Sequence, residues 1–248
     1  MKDKLNVAVA ISGGGSTLEA ILRAAQDGRL PRVNVALVIA SNSDAGGIEK
    51  AKARGVPSEN ICVIRRNNFE RGPNDSLAFG EEIIKECKSR QVEIVAQCGF
   101  IPLMPPNVVH EYRNGIFNQH PGPLDGARPG FGGKGMKGRA VHCAVLHFAR
   151  RVGRPFRSEA TVHWVSNEID GGGLIDIAPV EICSSDDVPA LAARVLRHEH
   201  FLIIRTLLRF SELGGVNGCS REEPLIHDGE QDLLAEAIRE GIRAYPDG

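Results

Sequence analysis

Three polar residues have the types and the spacing that acyl transfer needs. Asn118 and His120 are two positions apart, so their side chains point to the same face of an extended segment. Asp170 comes later and is followed by glycine, which is typical of a tight turn. An amide donates N–H groups to an oxygen that becomes negative, and an imidazole moves a proton near neutral pH. A carboxylate beside the imidazole should raise its pKa and fix its orientation. Together the residues predict transfer of an acyl group from a carrier to a nucleophile.

A glycine-rich turn near the N-terminus is suited to bind an anion. It lies between an apolar run and a helical pattern, so its backbone N–H groups and the helix dipole should point at one spot. It is not a dinucleotide fingerprint, because Leu18 occupies the third glycine position, and no Gly-Lys-Ser/Thr follows to make a P-loop. A plain tight turn is the alternative interpretation. The predicted phosphate-binding residues are Ser12, Gly13, Gly14, Gly15 and Ser16.

Strand-like and helix-like runs alternate along the first half of the chain. The periodicity predicts strands over 6–10, 33–40, 61–64 and 92–97 and helices over 16–25, 46–54 and 76–90. This alternation predicts an α/β, Rossmann-like fold with a mostly parallel sheet and helices on both faces. In such sheets ligands bind at the carboxyl ends of the strands. The glycine turn, Gly99-Phe100 and Asn118–His120 are therefore expected at one rim.

The second half begins with a segment rich in glycine and basic residues. Residues 122–139 contain Arg128, Lys134, Lys137 and Arg139, and they predict a flexible basic loop that either clamps an anion or is merely solvated. Helices are then predicted over 140–150, 186–210 and 232–243, and strands over 158–165 and 174–182, the first of them exposed on one face. We expect a catalytic domain over 1–212 and a helical appendage over 213–248.

The composition of the chain indicates what kind of molecule it binds. The 248 residues are 42% hydrophobic and 25% charged, with a formal net charge of -1, which favours small-molecule substrates over nucleic acid or membrane. No apolar run reaches the length of a bilayer and no signal region precedes the first strand, so a cytoplasmic location is expected. Six scattered cysteines without CxxC spacing, and two histidines flanking Glu199 that point about 200° apart on a helix, predict no metal site. A homodimer is left open.

The motifs carry a family resemblance. Asn118-Gln119-His120-Pro121, with Glu168-Ile169-Asp170-Gly171-Gly172 downstream, resembles the folate-dependent formyltransferases. The run 11–18 is similar to the phosphate loop of one branch, the phosphoribosylglycinamide formyltransferases. The stretches 41–45, 98–100 and 194–200 follow in the expected order, so the resemblance covers about residues 6–210.

The resemblance implies an activity and a set of sites. The implied reaction moves a formyl group from 10-formyltetrahydrofolate, a cosubstrate, to the amine of phosphoribosylglycinamide in purine biosynthesis. In it, Asn118 and protonated His120 stabilise the oxyanion, while Asp170 keeps His120 charged and relays a proton. Glu199 corresponds to a residue that binds the ribose hydroxyls. The implied folate-binding residues are Phe100, Ile101, Leu103, Met104 and Ile169.

Two departures leave alternatives open. Pro102 stands where related enzymes usually have a basic residue, and residues 122–139 replace a short turn. The basic residues of that segment could hold a phosphate or the glutamate tail of folate. The acceptor could instead be another phosphorylated amine, such as an amino sugar nucleotide, and a hydrolase that releases formate would need only water. A protein that binds folate or a nucleotide without turnover is the alternative from another class, which the trio Asn118, His120 and Asp170 argues against.

Overall fold

A computed structural model describes residues 4–69, 75–126 and 130–248. Arg128, one of the basic residues of the glycine-rich segment, lies outside these residues. No helix in the described part is long and apolar enough to cross a membrane.

Within these residues seven strands form one sheet, in the order β3-β2-β1-β4-β5-β6-β7. Their bounds are β1 Leu5–Ile11, β2 Val33–Ala40, β3 Ile61–Val63, β4 Ile94–Gln97, β5 Ile116–His120, β6 Ser158–Trp164 and β7 Leu174–Val180. Strand β1 pairs in parallel with β2 and β4, and the β2–β3 and β4–β5 pairs are also parallel. Strands β6 and β7 are antiparallel. The predicted mostly parallel sheet is confirmed.

Helices connect the strands as the periodicity predicts. They are α1 Ser16–Gln26, α2 Gly47–Ala53, α3 Asp75–Ser89, α4 Pro106–Glu111, α5 Arg139–Ala149, α6 Val188–Leu213 and α7 Gln231–Ala244, with short 3-10 helices at Ser58–Asn60 and Arg66–Phe69. In α1, Leu18, Ile21 and Leu22 recur at helical spacing and are buried. Helix α4 was not predicted, because its six residues are too few to show a period.

The chain divides into two compact units. The first contains Met1–Asn118, Trp164–Asn167 and Ile203–Val216. Its core includes side chains of β2, β4 and α3, such as Leu37, Val95 and Phe79. Phe210 stacks on Phe117 with ring centroids 5.5 Å apart, and Trp164 meets it edge-on at 5.9 Å.

The second unit contains Gln119–His163, Glu168–Leu202 and Asn217–Gly248. Helices α5 and α7 pack closely, and a Cβ added at Gly241 would lie 2.4 Å from the carbonyl oxygen of Ala140. Phe131, Phe148 and Phe156 form an aromatic cluster with centroids 4.9 to 5.7 Å apart. The predicted helix over 232–243 is confirmed as α7. The predicted boundary between a catalytic domain and an appendage at 212/213 stays a prediction.

Strand β6 differs from the expectation that one of its faces is exposed. Glu159, Thr161 and His163 are buried, so that prediction is wrong. Each polar side chain has a contact that offsets its burial. Glu159 pairs with Arg221, Thr161 Oγ1 donates to the carbonyl of Gly122 at 2.8 Å, and His163 Nε2 lies 3.5 Å from an oxygen of Asp170.

Candidate active site

The imidazole of His120 and the carboxylate of Asp170 face each other in the second unit. His120 ends β5 and is 3% exposed. Its Nδ1 is 3.7 Å from Asp170 Oδ2, which is longer than a hydrogen bond, so the two groups attract each other only when the imidazole is protonated. Asp170 lies in the left-handed region at φ 53, and the N–H of Gly171 donates to the carbonyl of Glu168 at 3.2 Å. The predicted tight turn is thus present and presents the carboxylate.

Backbone groups of the glycine-rich segment hold this pair. His120 Nε2 donates to the carbonyl oxygen of Phe131 at 3.0 Å, since a carbonyl can only accept. The N–H of Gly133 donates to Asp170 Oδ2 at 3.0 Å. Between them, a Cβ added at Gly132 would lie 2.8 Å from the Cβ of Asp170. The interpretation of 122–139 as a merely solvated loop is wrong for Phe131 and Gly132, which are buried.

The electrostatics of the pair differ from the expectation. Burial lowers the pKa of His120 below its ordinary value, and this outweighs the nearby Asp170 carboxylate, which acts to raise it. The carboxylate acts on the pKa of the imidazole in the predicted direction, but burial outweighs it and the net shift is downward. His120 is neutral near pH 7, with its proton on Nε2 and a lone pair on Nδ1.

Asp170 is an anion at the same pH. Burial acts to raise the pKa of Asp170, but His120, His163 and the Gly133 N–H together lower it to about 2. A proton that arrives at Nδ1 of His120 therefore meets a negative charge close by. The arrangement can accept a proton, hold it as an imidazolium and release it again.

Two buried histidines were not predicted to lie near the site. His163 contacts Asp170 from β6, and His142 lies on α5 with 4% exposure. Burial lowers the pKa of His142 to about 4, and within the described residues its Nδ1 has no hydrogen-bond partner. Neither residue belongs to a motif, so no sequence signal separated them from ordinary strand and helix residues.

Glu199 lies on α6 and is 7% exposed. Its Oε1 accepts a hydrogen bond at 3.1 Å from Nε2 of Gln119. Burial raises the pKa of Glu199 to about 7, although the Gln119 contact acts to lower it. The ribose-binding role stays a prediction.

The glycine turn joins β1 to α1 in the first unit. Gly15 has φ 65, and none of the described side chains makes a capping hydrogen bond to the start of α1. A Cβ at Gly15 would lie 2.4 Å from the Cα of Gly47, whereas one at Gly13 or Gly14 would meet nothing within 4 Å. The turn therefore packs against α2 on one side and leaves open space at its tip.

Ser12 connects the turn to its neighbours. Its Oγ lies 2.6 Å from Ser41 Oγ and accepts from the N–H of Ile101 at 2.8 Å. The N–H of Ser12 donates to the carbonyl of Gly99 at 3.0 Å. The carboxyl ends of β1, β2 and β4 therefore meet, and the expected proximity of the glycine turn and Gly99-Phe100 is confirmed.

The predicted folate-binding residues fall into two groups. Phe100 and Met104 are 8% and 3% exposed and belong to the core of the first unit. Ile101 and Leu103 in the first unit, and Ile169 in the second, are 60%, 44% and 47% exposed. The exposed side chains are available to a ligand. The role of the whole set stays a prediction.

Side chains that could bind a metal are not clustered in the described ranges, where no group of three His, Cys, Asp or Glu residues could hold an ion. The six cysteines all lie in the described ranges, and none of them forms a disulfide.

Comparison with known proteins identifies the protein family to which this chain belongs. A family model described as formyl transferase matches residues 5–207, and the chain belongs to this family. It is 33% identical over 201 residues to a protein named phosphoribosylglycinamide formyltransferase, chloroplastic, from Arabidopsis thaliana, covering 81% of this chain. It is 30% identical over 201 residues to a protein of the same name from Vigna unguiculata, again covering 81% of this chain. The chain spans 63% and 59% of the lengths of these two relatives.

Solved structures agree on the fold. The crystal structure of glycinamide ribonucleotide transformylase 1 from Geobacillus kaustophilus superposes with a TM-score of 0.68 at 31% identity. The match covers 84% of this chain and 98% of that one. The α/β, Rossmann-like fold predicted from the alternation of elements is confirmed.

Proposed function

We propose that this chain transfers a formyl group from 10-formyltetrahydrofolate to the amine of phosphoribosylglycinamide, a step of purine biosynthesis. The observation that carries the proposal is the neutral His120 beside the ionised Asp170, at the end of a strand that also bears Asn118. Such a pair moves a proton between two nitrogens, as exchange of a formyl group between amines requires. The identity of the proposed acceptor comes from the names of the relatives.

The glycine turn supports a phosphorylated acceptor. Helix α1 is 11 residues long and begins without a side-chain cap among the described residues, and the positive end of its dipole favours an anion. The open space at Gly13 and Gly14 lets a ligand approach the backbone of the turn. We assign the phosphate of the acceptor to residues 13–16, with Ser12 holding the turn through its contacts to Ser41 and Ile101. Glu199 is assigned to the ribose hydroxyls.

The proton path follows from the hydrogen bonds of His120. Its Nε2–H is engaged with the carbonyl of Phe131, so only Nδ1 exchanges a proton. As the acceptor amine forms its bond to the formyl carbon, Nδ1 takes the amine proton. The imidazolium then faces Asp170 at 3.7 Å, which stabilises the positive charge. When the bond to the folate nitrogen breaks, the proton passes to that nitrogen and His120 is neutral again.

Asn118 is assigned to the oxygen of the formyl group. This oxygen gains negative charge as the amine attacks, and an amide N–H lowers the energy of that charge. Removal of one such donor typically reduces kcat by about 10²- to 10³-fold. The folate supplies the formyl group on a nitrogen that can leave. The exposed side chains of Ile101 and Leu103 are assigned to its flat ring.

The test is a spectrophotometric assay that follows loss of the formyl group from 10-formyltetrahydrofolate. It is run with phosphoribosylglycinamide, with an amino sugar nucleotide and with no acceptor. Turnover that requires phosphoribosylglycinamide supports the proposal. Turnover with the amino sugar nucleotide alone, or without an acceptor, would replace it with the other transferase or the hydrolase, and tight binding without turnover would show a binding protein.

A further inference from the structure

We propose that Arg221 is a positioning residue for the formyl-transfer site, because it holds the loop that carries the backbone partners of His120 and Asp170. The inference rests on the proposed function for its kinetic consequence. Its structural basis lies wholly within the second unit, and Arg221 lies beyond the end of the family match at residue 207.

Arg221 makes hydrogen bonds both to the segment after β5 and to strand β6. Its Nε and Nη2 both donate to the carbonyl oxygen of Leu124, at 2.9 and 2.7 Å. Its Nη1 donates to Glu159 Oε1 at 3.0 Å, and Nη2 also bonds to the other oxygen of Glu159. The side chains of Arg221 and Glu159 are 14% and 11% exposed. A largely buried guanidinium that binds a carboxylate and a carbonyl together is geometrically fixed.

Leu124 is linked to His120 through Pro123 and Phe131. The N–H of Phe131 donates to the carbonyl of Pro123, next to Leu124, at 2.9 Å. The carbonyl of Phe131 in turn accepts from His120 Nε2 at 3.0 Å. Arg221 is therefore linked to the imidazole through hydrogen bonds and two short stretches of backbone, one from Leu124 to Pro123 and one within Phe131.

A second path leads to Asp170. The side chain of Leu124 is fully buried, and a Cβ added at Gly132 would lie 2.6 Å from its Cδ2 and 2.8 Å from the Cβ of Asp170. Gly132 is thus packed between Leu124 and Asp170, and Gly133 donates to that carboxylate. Displacement of Leu124 releases the segment that keeps both reacting side chains in place.

The experiment compares two arginine variants that lose similar contacts. Arg221→Ala removes the clamp on Leu124. Arg194→Ala is the matched control, because Arg194 forms a two-point pair with Asp186 at 2.6 and 2.7 Å and donates to the carbonyl of Glu181 at 2.8 Å, within the same unit.

We expect Arg221→Ala to lower kcat by about 10- to 100-fold, since small misplacements of reacting groups have effects of this size. The KM values should change by less than about twofold, because the clamp acts on reacting groups and not on substrate binding. Arg221→Lys should recover part of kcat, and Arg194→Ala should keep it.

A second readout does not depend on turnover. Nitrogen NMR of His120 reports which ring nitrogen carries the proton. In the wild type and in Arg194→Ala we expect the proton on Nε2, held by the Phe131 carbonyl, whereas in Arg221→Ala the two tautomers should mix. If the wild type does not formylate phosphoribosylglycinamide, the proposed function fails and the NMR comparison still tests the clamp. Equal loss of kcat in both alanine variants, or an unchanged His120 tautomer in Arg221→Ala, would overturn the positioning role.

Discussion

The replacement of Asp170 by asparagine tests the proton path most directly. Asparagine keeps the shape of the side chain and an oxygen that can accept from the Gly133 N–H. It removes the negative charge that lies 3.7 Å from Nδ1 of His120. The imidazolium formed during transfer then loses its stabilising partner, while the turn around residue 170 is preserved. Turnover should fall with little change in the fold.

The size of the effect follows from the distance and the burial. At about 4 Å and an effective dielectric constant of about 20, two unit charges attract by about 4 kcal/mol. Because about 1.4 kcal/mol corresponds to a tenfold change in rate, kcat can fall by at most about 10³-fold. The carboxylate is 11% exposed and also contacts His163, and both features weaken the interaction with His120. We therefore expect a loss of about 10²-fold.

Two measurements check this reasoning. Steady-state kinetics with both substrates gives kcat, and thermal unfolding shows whether the fold is kept. NMR titration of His120 should give a pKa still lower than in the wild type, because Asp170 acts to raise it. Wild-type turnover in Asp170→Asn, or an unchanged pKa of His120, would refute the role of the carboxylate.

Two further substitutions probe burial and close packing. Burial raises the pKa of Glu199 from 4.5 to about 7, so the folded chain loses stability as the pH rises through this window. Glutamine carries no charge at any pH, so Glu199→Gln should raise the free energy of unfolding by about 3 kcal/mol at about pH 8 and by little at about pH 4. Denaturant unfolding at the two pH values measures this, and an equal gain at both would contradict it. Gly132→Ala places a Cβ 2.6 Å from Leu124 Cδ2 and 2.8 Å from the Cβ of Asp170, and should cost about 1–3 kcal/mol of stability and lower kcat. Gly215→Ala, whose Cβ meets nothing within 4 Å, is the control; equal unfolding free energies in the two alanine variants would count against the packing argument.

The fold could be predicted because its signals are local. The apolar positions of α1 recur at helical spacing, and β2 is an apolar run rich in β-branched residues, apart from Asn34. The turn after β1 and the strand ends at Gly99 and His120 follow from the same alternation. Neighbouring parallel strands then place the glycine turn beside Gly99, as the contact of Ser12 with Gly99 shows.

The features of the site and of β6 that could not be predicted depend on contacts that leave no local pattern in the sequence. The partners of His120 and Asp170 in the glycine-rich segment are a backbone carbonyl and a backbone N–H, which every residue possesses. The lowered pKa of His120 comes from burial by distant parts of the chain. In β6, alternating polar residues predicted an exposed face, but Glu159 is neutralised by Arg221, 62 positions away. Pairing over such separations cannot be read from spacing.

The separation between Arg221 and Leu124 has a consequence for the order of folding. The contact joins residues 97 positions apart, and contacts of high sequence separation form late because a long loop must close first. The parallel pairs of β1 and β2 join segments only about 30 residues apart, such as Leu5 with Val33. The β1–β2 pair of the sheet should therefore form before the clamp closes. During refolding, the circular dichroism of the sheet is expected to recover ahead of enzymatic activity, so that the chain passes through a folded but catalytically unfinished state.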